Sequence, residues 1–122
     1  MDWIILDTSS IIFSLSNHFD PFAYVRDNMP TYRILISSGV VTELGKLGSG
    51  RKKEKKYANV ALALLGRYDL SIAKSPLPVD RWIVKEAISR HCLVCTNDIK
   101  LKESLRDKGV NTVSVARNGS LR

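Results

Sequence analysis

Short aliphatic runs alternate along the chain with stretches in which apolar residues recur every three or four positions. The short runs lie at residues 3–6, 33–36, 70–73, 92–96 and 112–115 and have the length of buried strands. The helical spacing between them predicts about six helices. This alternation predicts an α/β fold whose five-stranded parallel sheet is covered by helices on both faces.

Capping residues set the predicted boundaries of these helices. The predicted caps or first positions are Ser9 or Ser10, Asp20 with Pro21, Asp80, and Asn97 with Asp98. A loop is predicted at residues 75–78. The 122 residues are enough for one domain, predicted at 1–116, and the short basic tail at 117–122 is expected to be frayed.

The formal net charge of +7 gives information about the binding partner rather than about the fold. A basic surface favours polyanions, of which nucleic acid is the commonest, although solubility alone could also account for it. We find no apolar run long enough to span a membrane and no N-terminal signal pattern, so we expect a cytoplasmic protein without a membrane partner.

The densest charge follows the flexible loop at residues 48–50. Five cations surround one glutamate in residues 51–56, and they are Arg51, Lys52, Lys53, Lys55 and Lys56. This basic run is either a solvated helix start or a track for a nucleic-acid backbone.

Four acids are predicted to lie at one edge of the sheet. Asp7 ends the first strand and Asp98 closely follows the fourth, so they face each other if these strands are neighbours where the strand order reverses. Glu43 is predicted on the buried face of its helix, and Asp80 begins the inward face of another. Both helices follow strands, which places their starts at the same edge.

A cluster of four carboxylates needs compensation, because like charges repel and burial disfavours ionisation. A hard divalent cation such as Mg²⁺ supplies it and can activate a water for attack on a phosphodiester. Each acid also has a simpler interpretation. Asp80 and Asp98 could be helix caps, Asp7 could form a turn, and Glu43 could face solvent or pair with Lys46.

Other kinds of site fit the sequence poorly. Cys92 and Cys95 lie three apart on a predicted strand, which favours buried reduced thiols over a disulfide or a zinc site. No glycine-rich dinucleotide or phosphate loop is found, and no nucleophile elbow accompanies His18 or His91. Acid pairs typical of dehalogenase-type phosphatases and receiver domains are also missing.

The chain resembles the PIN domain family of small metal-dependent nucleases over almost its whole length. The resemblance rests on four segments in order: Leu6-Asp7-Thr8-Ser9, Val41-Thr42-Glu43-Leu44, Val79-Asp80 with residues 83–87, and Thr96-Asn97-Asp98 with Leu101-Lys102. These segments look closest to archaeal stand-alone PIN proteins and their ribosome-biogenesis relatives, with toxins of toxin–antitoxin pairs as an alternative.

The resemblance implies an α/β/α sandwich and cleavage of single-stranded RNA with Mg²⁺ or Mn²⁺. Asp7, Glu43, Asp80 and Asp98 match the acidic positions of the family. Ser9 matches the position that supports the first acid, and Thr96 the hydroxyl that orients the last acid. Many relatives carry a further acid where this chain has Lys100, which leaves open whether one or two ions bind.

The resulting hypothesis is an endoribonuclease acting on single-stranded or structured RNA, in rRNA processing or RNA quality control. Asp7 and Asp98 would hold the cation, and Glu43 and Asp80 would complete the shell or orient the attacking water. The basic run would bind the RNA backbone. The alternatives are an inactive PIN module that binds RNA or protein, and a toxin nuclease. Corresponding partners are RNA, a second copy of the chain, a ribosome-assembly protein or an antitoxin.

Overall fold

The computed structural model describes residues 2–76 and 78–122. Met1 of the predicted domain 1–116 and Leu77 of the predicted loop 75–78 lie outside the described residues. The strands are β1 (Asp2–Leu6), β2 (Tyr32–Ser37), β3 (Leu70–Ala73), β4 (Leu93–Cys95) and β5 (Thr112–Val113). The helices are α1 (Thr8–Ser16), α2 (Pro21–Asn28), α3 (Ser38–Gly48), α4 (Lys55–Leu65), α5 (Val79–Arg90) and α6 (Ile99–Asp107).

The sheet has the order β3-β2-β1-β4-β5, and each neighbouring pair is parallel. Helices α1, α3 and α4 contact one another and α5 contacts α6, as expected when right-handed crossovers put the helices before β3 on one face and those after it on the other. The predicted three-layer α/β/α sandwich with five parallel strands is therefore confirmed. The strand order reverses between β1 and β4, where ligands bind in sheets of this kind.

The apolar runs form the core because the central strands are covered on both faces. Ile4, Ile5 and Leu6 of β1 are fully buried. Leu35 and Ile36 of β2 leave at most 1% of their surface exposed. Helix α3 contributes Val40 and Leu44 to the same core. Burying such side chains stabilises the fold by about 1.5–3 kcal/mol each, which fixes the strand ends that carry the polar residues.

The C-terminal segment departs from the prediction. Residues 117–122 are not frayed, because Val115 and Leu121 form an antiparallel bridge and Arg122 N–H donates to the Ser114 carbonyl at 2.9 Å. Gly119 adopts a positive φ of 86° and lies so close to the Phe19 ring that a Cβ would come within 2.4 Å of it. The glycine thus allows the tail to turn back against the domain, which composition alone does not reveal.

Two predicted boundaries also change. Strand β4 is shorter than residues 92–96, and β5 is shorter than residues 112–115. The β5 run stops early because Val115 turns away from the sheet to bond Asn97 and Leu121. No helix in the described part of the chain is both long and apolar enough to cross a membrane.

Candidate active site

A cleft of about 940 Å³ opens at the carboxyl edge of the sheet. It lies where β1 and β4 are neighbours, as the register between Leu6 and Cys95 shows. All four predicted acids line it, and they are Asp7, Glu43, Asp80 and Asp98. The structure therefore brings the predicted set to one cleft.

Asp7 is held in place by several donors. Its carboxylate is buried and accepts hydrogen bonds from the Thr96 hydroxyl at 2.5 Å, the Ser10 N–H at 2.9 Å and the Ser9 hydroxyl at 2.9 Å. Asp7 is also the N-cap of α1, so the prediction that Ser9 or Ser10 caps this helix is wrong. The helix starts earlier because the strand-end carboxylate itself satisfies the first-turn N–H.

Thr96 and Ser9 tie the two central strand ends together. The Thr96 hydroxyl accepts the Asp98 N–H at 3.0 Å, and the Ser9 hydroxyl accepts the Asn97 N–H at 3.0 Å. Thr96 was expected to orient the last acid. Its side chain instead donates to Asp7 and reaches Asp98 only through the backbone. The first acid is thus the one that Thr96 orients.

Asp98 caps the helix that follows it, whereas Asp80 does not. Asp98 caps α6, and its Oδ1 accepts the Leu101 N–H at 3.2 Å. Helix α5 begins at Val79 with Pro78 in the cap position, so the prediction of Asp80 as the opening cap is wrong. The Asp80 carboxylate lies in the first turn without a capping hydrogen bond, which leaves it available to the cleft.

Glu43 is exposed to solvent, and the prediction that it lies on the buried face of α3 is wrong. Val40 and Leu44 carry the buried stripe, and Glu43 stands at its margin, where the helix faces the open cleft. Among the described residues it forms no ion pair with Lys46. Its position beside the other acids is therefore not explained by a surface salt bridge.

The acids affect one another electrostatically. Burial raises the pKa of Asp7 above its ordinary value, and the hydrogen bond from Thr96 opposes part of that rise. Partial burial at the cleft wall, followed by the charges of Asp80 and Asp7, raises the pKa of Glu43. Partial burial, followed by the charges of Asp98 and Asp7, raises the pKa of Asp80. The cleft thus gathers carboxylates that are partly desolvated and repel one another, and none of them forms an ion pair among the described residues.

The donor set suits a hydrated divalent cation. No three His, Cys, Asp or Glu side chains in the described residues stand close enough to enclose a metal ion. Mg²⁺, however, needs only one or two carboxylates and keeps several waters. Glu54 Oε2 is buried without a hydrogen-bond partner, and Glu54 lines the cleft. An unpartnered oxygen beside carboxylates that form no ion pair among the described residues matches the needs of a cation and its water shell.

The basic run divides between the cleft and the open surface. Lys52, Lys53 and Lys56 line the cleft, whereas Arg51 and Lys55 are exposed outside its lining. Glu54 lies in the cleft as well, although its place in a dense charge run favoured a solvated side chain. Only the burial of its unpartnered oxygen distinguishes it from its neighbours.

Two other predicted features fall outside the acidic cleft. Lys100 is exposed and lines a neighbouring groove rather than the cleft itself.

Cys92 and Cys95 are buried free thiols, as predicted, and burial raises their pKa values to about 11 and about 12. The thiols are therefore protonated at neutral pH and belong to the core.

The chain matches a known protein family over nearly its whole length. A family model described as a PIN-like domain covers residues 4–118. The chain belongs to the PIN domain family. The resemblance predicted from the four acidic segments is thereby confirmed.

Individual PIN proteins show how far the similarity extends. Ribonuclease VapC9 of Archaeoglobus fulgidus is 30% identical over 107 residues, which cover 87% of this chain and 77% of that protein. The structure of the PIN domain endonuclease Utp24 is 30% identical, with a TM-score of 0.73 over 98% of this chain and 89% of that one. VapBC-1 from nontypeable Haemophilus influenzae, at 19% identity and a TM-score of 0.62 over 90% of this chain and 96% of that one, shares the fold.

Proposed function

We propose that this PIN protein is an endoribonuclease that depends on Mg²⁺ or Mn²⁺. The observation that carries the proposal is the convergence of Asp7, Glu43, Asp80 and Asp98 on one cleft, where no ion pair among the described residues neutralises them. The names of two relatives, a ribonuclease and a PIN domain endonuclease, support the same reaction class.

Each acid has a part that follows from its surroundings. Asp7 and Asp98 would hold the cation, because the Thr96 and Ser9 hydroxyls fix the two central strand ends that carry them. When bound, the cation would lower the pKa of a water and stabilise charge developing on the scissile phosphate. Glu43 and Asp80, with raised pKa values, would orient that water and accept a proton from it.

The lysines of the cleft would bind the substrate. Lys52, Lys53 and Lys56 line the same cleft as the acids. One RNA phosphate can therefore contact the lysines while the next phosphate of the strand lies over the carboxylates. Arg51 and Lys55 lie farther out and would contribute to the field that attracts RNA rather than to direct contacts.

Cleavage of labelled single-stranded RNA with Mn²⁺ tests the proposal. Asp7→Asn and Asp98→Asn should each lower the rate by about 100-fold or more, while Asp69→Asn, an exposed acid outside the cleft, should leave it unchanged. A circular RNA should also be opened, because an endonuclease needs no strand end. Equal rates for folded cleft variants and wild type would remove the assignment.

A toxin role is the second candidate, and the similarity to Ribonuclease VapC9 favours it. The same cleft would then cut cellular RNA and would be restrained by an antitoxin. Expression of the wild type should arrest growth, whereas the Asp7→Asn variant should not. Growth unaffected by an active enzyme would favour a role in RNA processing or quality control instead. An inactive RNA-binding or protein-binding module would neither cleave RNA in the first assay nor arrest growth through cleavage in the second.

A further inference from the structure

A second groove adjoins the acidic cleft at Asp80. It has a volume of about 560 Å³ and runs between α5 and α6. Asp80 lines both the cleft and this groove, so the two adjoin at this residue. We call it the α5–α6 groove.

The groove carries the charge pattern of a polyanion site. Four cations line it, and they are Arg81, Lys85, Lys100 and Lys108. All four are exposed, and none takes part in an ion pair within residues 2–76 and 78–122. Asp80, at the end that meets the cleft, is the one acid among the described residues of the lining. Cations without acidic partners on a protein of net charge +7 favour phosphate as their counterpart.

The floor of the groove is apolar. Val84 and Ile88 come from α5 and Leu101 from α6, and Ile88 leaves 46% of its surface exposed. An apolar floor between rows of cations suits a single-stranded nucleic acid, because bases and riboses need a non-polar surface while their phosphates need charge. A free phosphate or a small anion would leave this floor unused.

We propose that the α5–α6 groove binds the stretch of single-stranded RNA that extends beyond the scissile phosphate. The strand would enter past Lys52, Lys53 and Lys56, cross the acids and leave along the groove, so that cations flank the carboxylates on both sides. Lys100 gains a role here, since it supplies one of the phosphate contacts. The proposal rests on the endoribonuclease function proposed above.

A doubly substituted groove variant tests this path. Lys85→Gln with Lys108→Gln removes two groove charges, and Arg67→Gln with Arg117→Gln removes two exposed charges that line neither the cleft nor the groove. Binding is measured with EDTA, which prevents metal-dependent cleavage, using RNAs of about 4 and about 16 nucleotides. Thermal unfolding verifies that all variants are folded.

The groove variant should bind the longer RNA about fivefold or more weakly than wild type. The slope of log K against log salt should become shallower by about 0.7 for each phosphate that the variant no longer neutralises. With Mn²⁺, KM for the longer RNA should rise while kcat stays unchanged. The short RNA should be affected in neither assay, and the control variant should resemble wild type.

The outcomes separate the groove from the catalytic proposal. Equal affinity of the groove and control variants for the longer RNA would overturn the groove assignment, whether or not the wild type cleaves. Reduced affinity of the groove variant without any wild-type cleavage would support the groove and remove the nuclease function. If an acidic peptide of equal charge binds the groove as tightly as the longer RNA, the occupant is a protein segment and the proposal fails.

Discussion

At the residue scale, Asp7 shows why a strand end can become a chemical site. It directly follows the buried end of β1, residues 4–6, and three neighbours donate hydrogen bonds to its carboxylate. The sequence predicted that Asp7 ends the strand and lies near Asp98. It could not predict that the same carboxylate caps α1, because a strand-end acid and the serines after it are all good caps.

Thr96 offers the sharpest test of this arrangement. Thr96→Val keeps the shape but removes the donor to Asp7 and the acceptor for the Asp98 N–H, so the free energy of unfolding should fall by about 1–3 kcal/mol. Cleavage should slow by about 10-fold or more, because the Asp7 carboxylate loses a donor that orients it and the Asp98 backbone loses its acceptor. Thr96→Ser retains the hydroxyl and should stay close to wild type. Chemical denaturation and RNA cleavage rates measure both effects, and a fully active Thr96→Val protein would contradict the role.

The raised pKa values of the cleft acids predict a specific pH dependence. Without metal, the folded protein retains protons on Asp7, Glu43 and Asp80 that the unfolded chain has already released, at pH values between the ordinary and the raised pKa values. Their contribution to stability is therefore fully present below the ordinary pKa values, 3.8 for aspartate and 4.5 for glutamate. It is lost as the pH rises through the raised values.

The double variant Glu43→Gln with Asp80→Asn checks this sign. Denaturation in EDTA between about pH 4 and pH 7 should show the variant gaining stability over wild type as the pH rises, because only the wild type develops charges that burial and mutual repulsion disfavour. A stability difference that does not change with pH would mean that folding does not raise the pKa values of Glu43 and Asp80.

At the element scale, the sequence predicted the alternation of strands and helices, because buried aliphatic runs and 3.6-residue spacing are strong patterns. Helix starts were less predictable, since a cap and a first-turn residue have the same composition. Asp80 illustrates this, as α5 begins one residue earlier at Val79. The distance between α5 and α3 depends on a tertiary contact that no local sequence pattern encodes.

That contact is made by Gly39 at the start of α3. Its N–H donates to the Ser75 hydroxyl at 3.0 Å, and a Cβ there would lie 2.3 Å from Val79 Cγ2. The absence of a side chain thus lets the first turns of α3 and α5 approach each other, which brings Glu43 and Asp80 to the same cleft.

Gly39→Ala should lower the free energy of unfolding by about 1–3 kcal/mol through overpacking. Combining it with Val79→Ala should cost less than the sum of the two single changes, because the smaller residue removes the clash. Gly45→Ala is the matched control. It lies in the same helix with nothing within 4 Å of its Cβ, so alanine should be neutral or stabilising. Denaturation curves of the four variants measure the coupling, and additive costs would contradict the close approach.

At the scale of the whole molecule, doubly wound topology explains why distant acids meet. The strand order reverses between β1 and β4, and both strands end at the cleft. The sequence predicted this only on condition that these strands are neighbours, which pairing confirms. It did not predict the folded C-terminal segment or the α5–α6 groove, because both depend on packing between residues far apart in the chain.

Binding of a divalent cation between Asp7 and Asp98 is the property on which the proposed nuclease function depends. Anomalous diffraction from crystals soaked in Mn²⁺ tests it most directly. We expect at least one Mn²⁺ peak within about 2–2.5 Å of oxygens from both carboxylates, with waters completing the shell. Crystals of the Asp7→Asn variant should show no such peak. A cleft without Mn²⁺ at millimolar concentration, or an ion bound away from both acids, would contradict the proposed metal site.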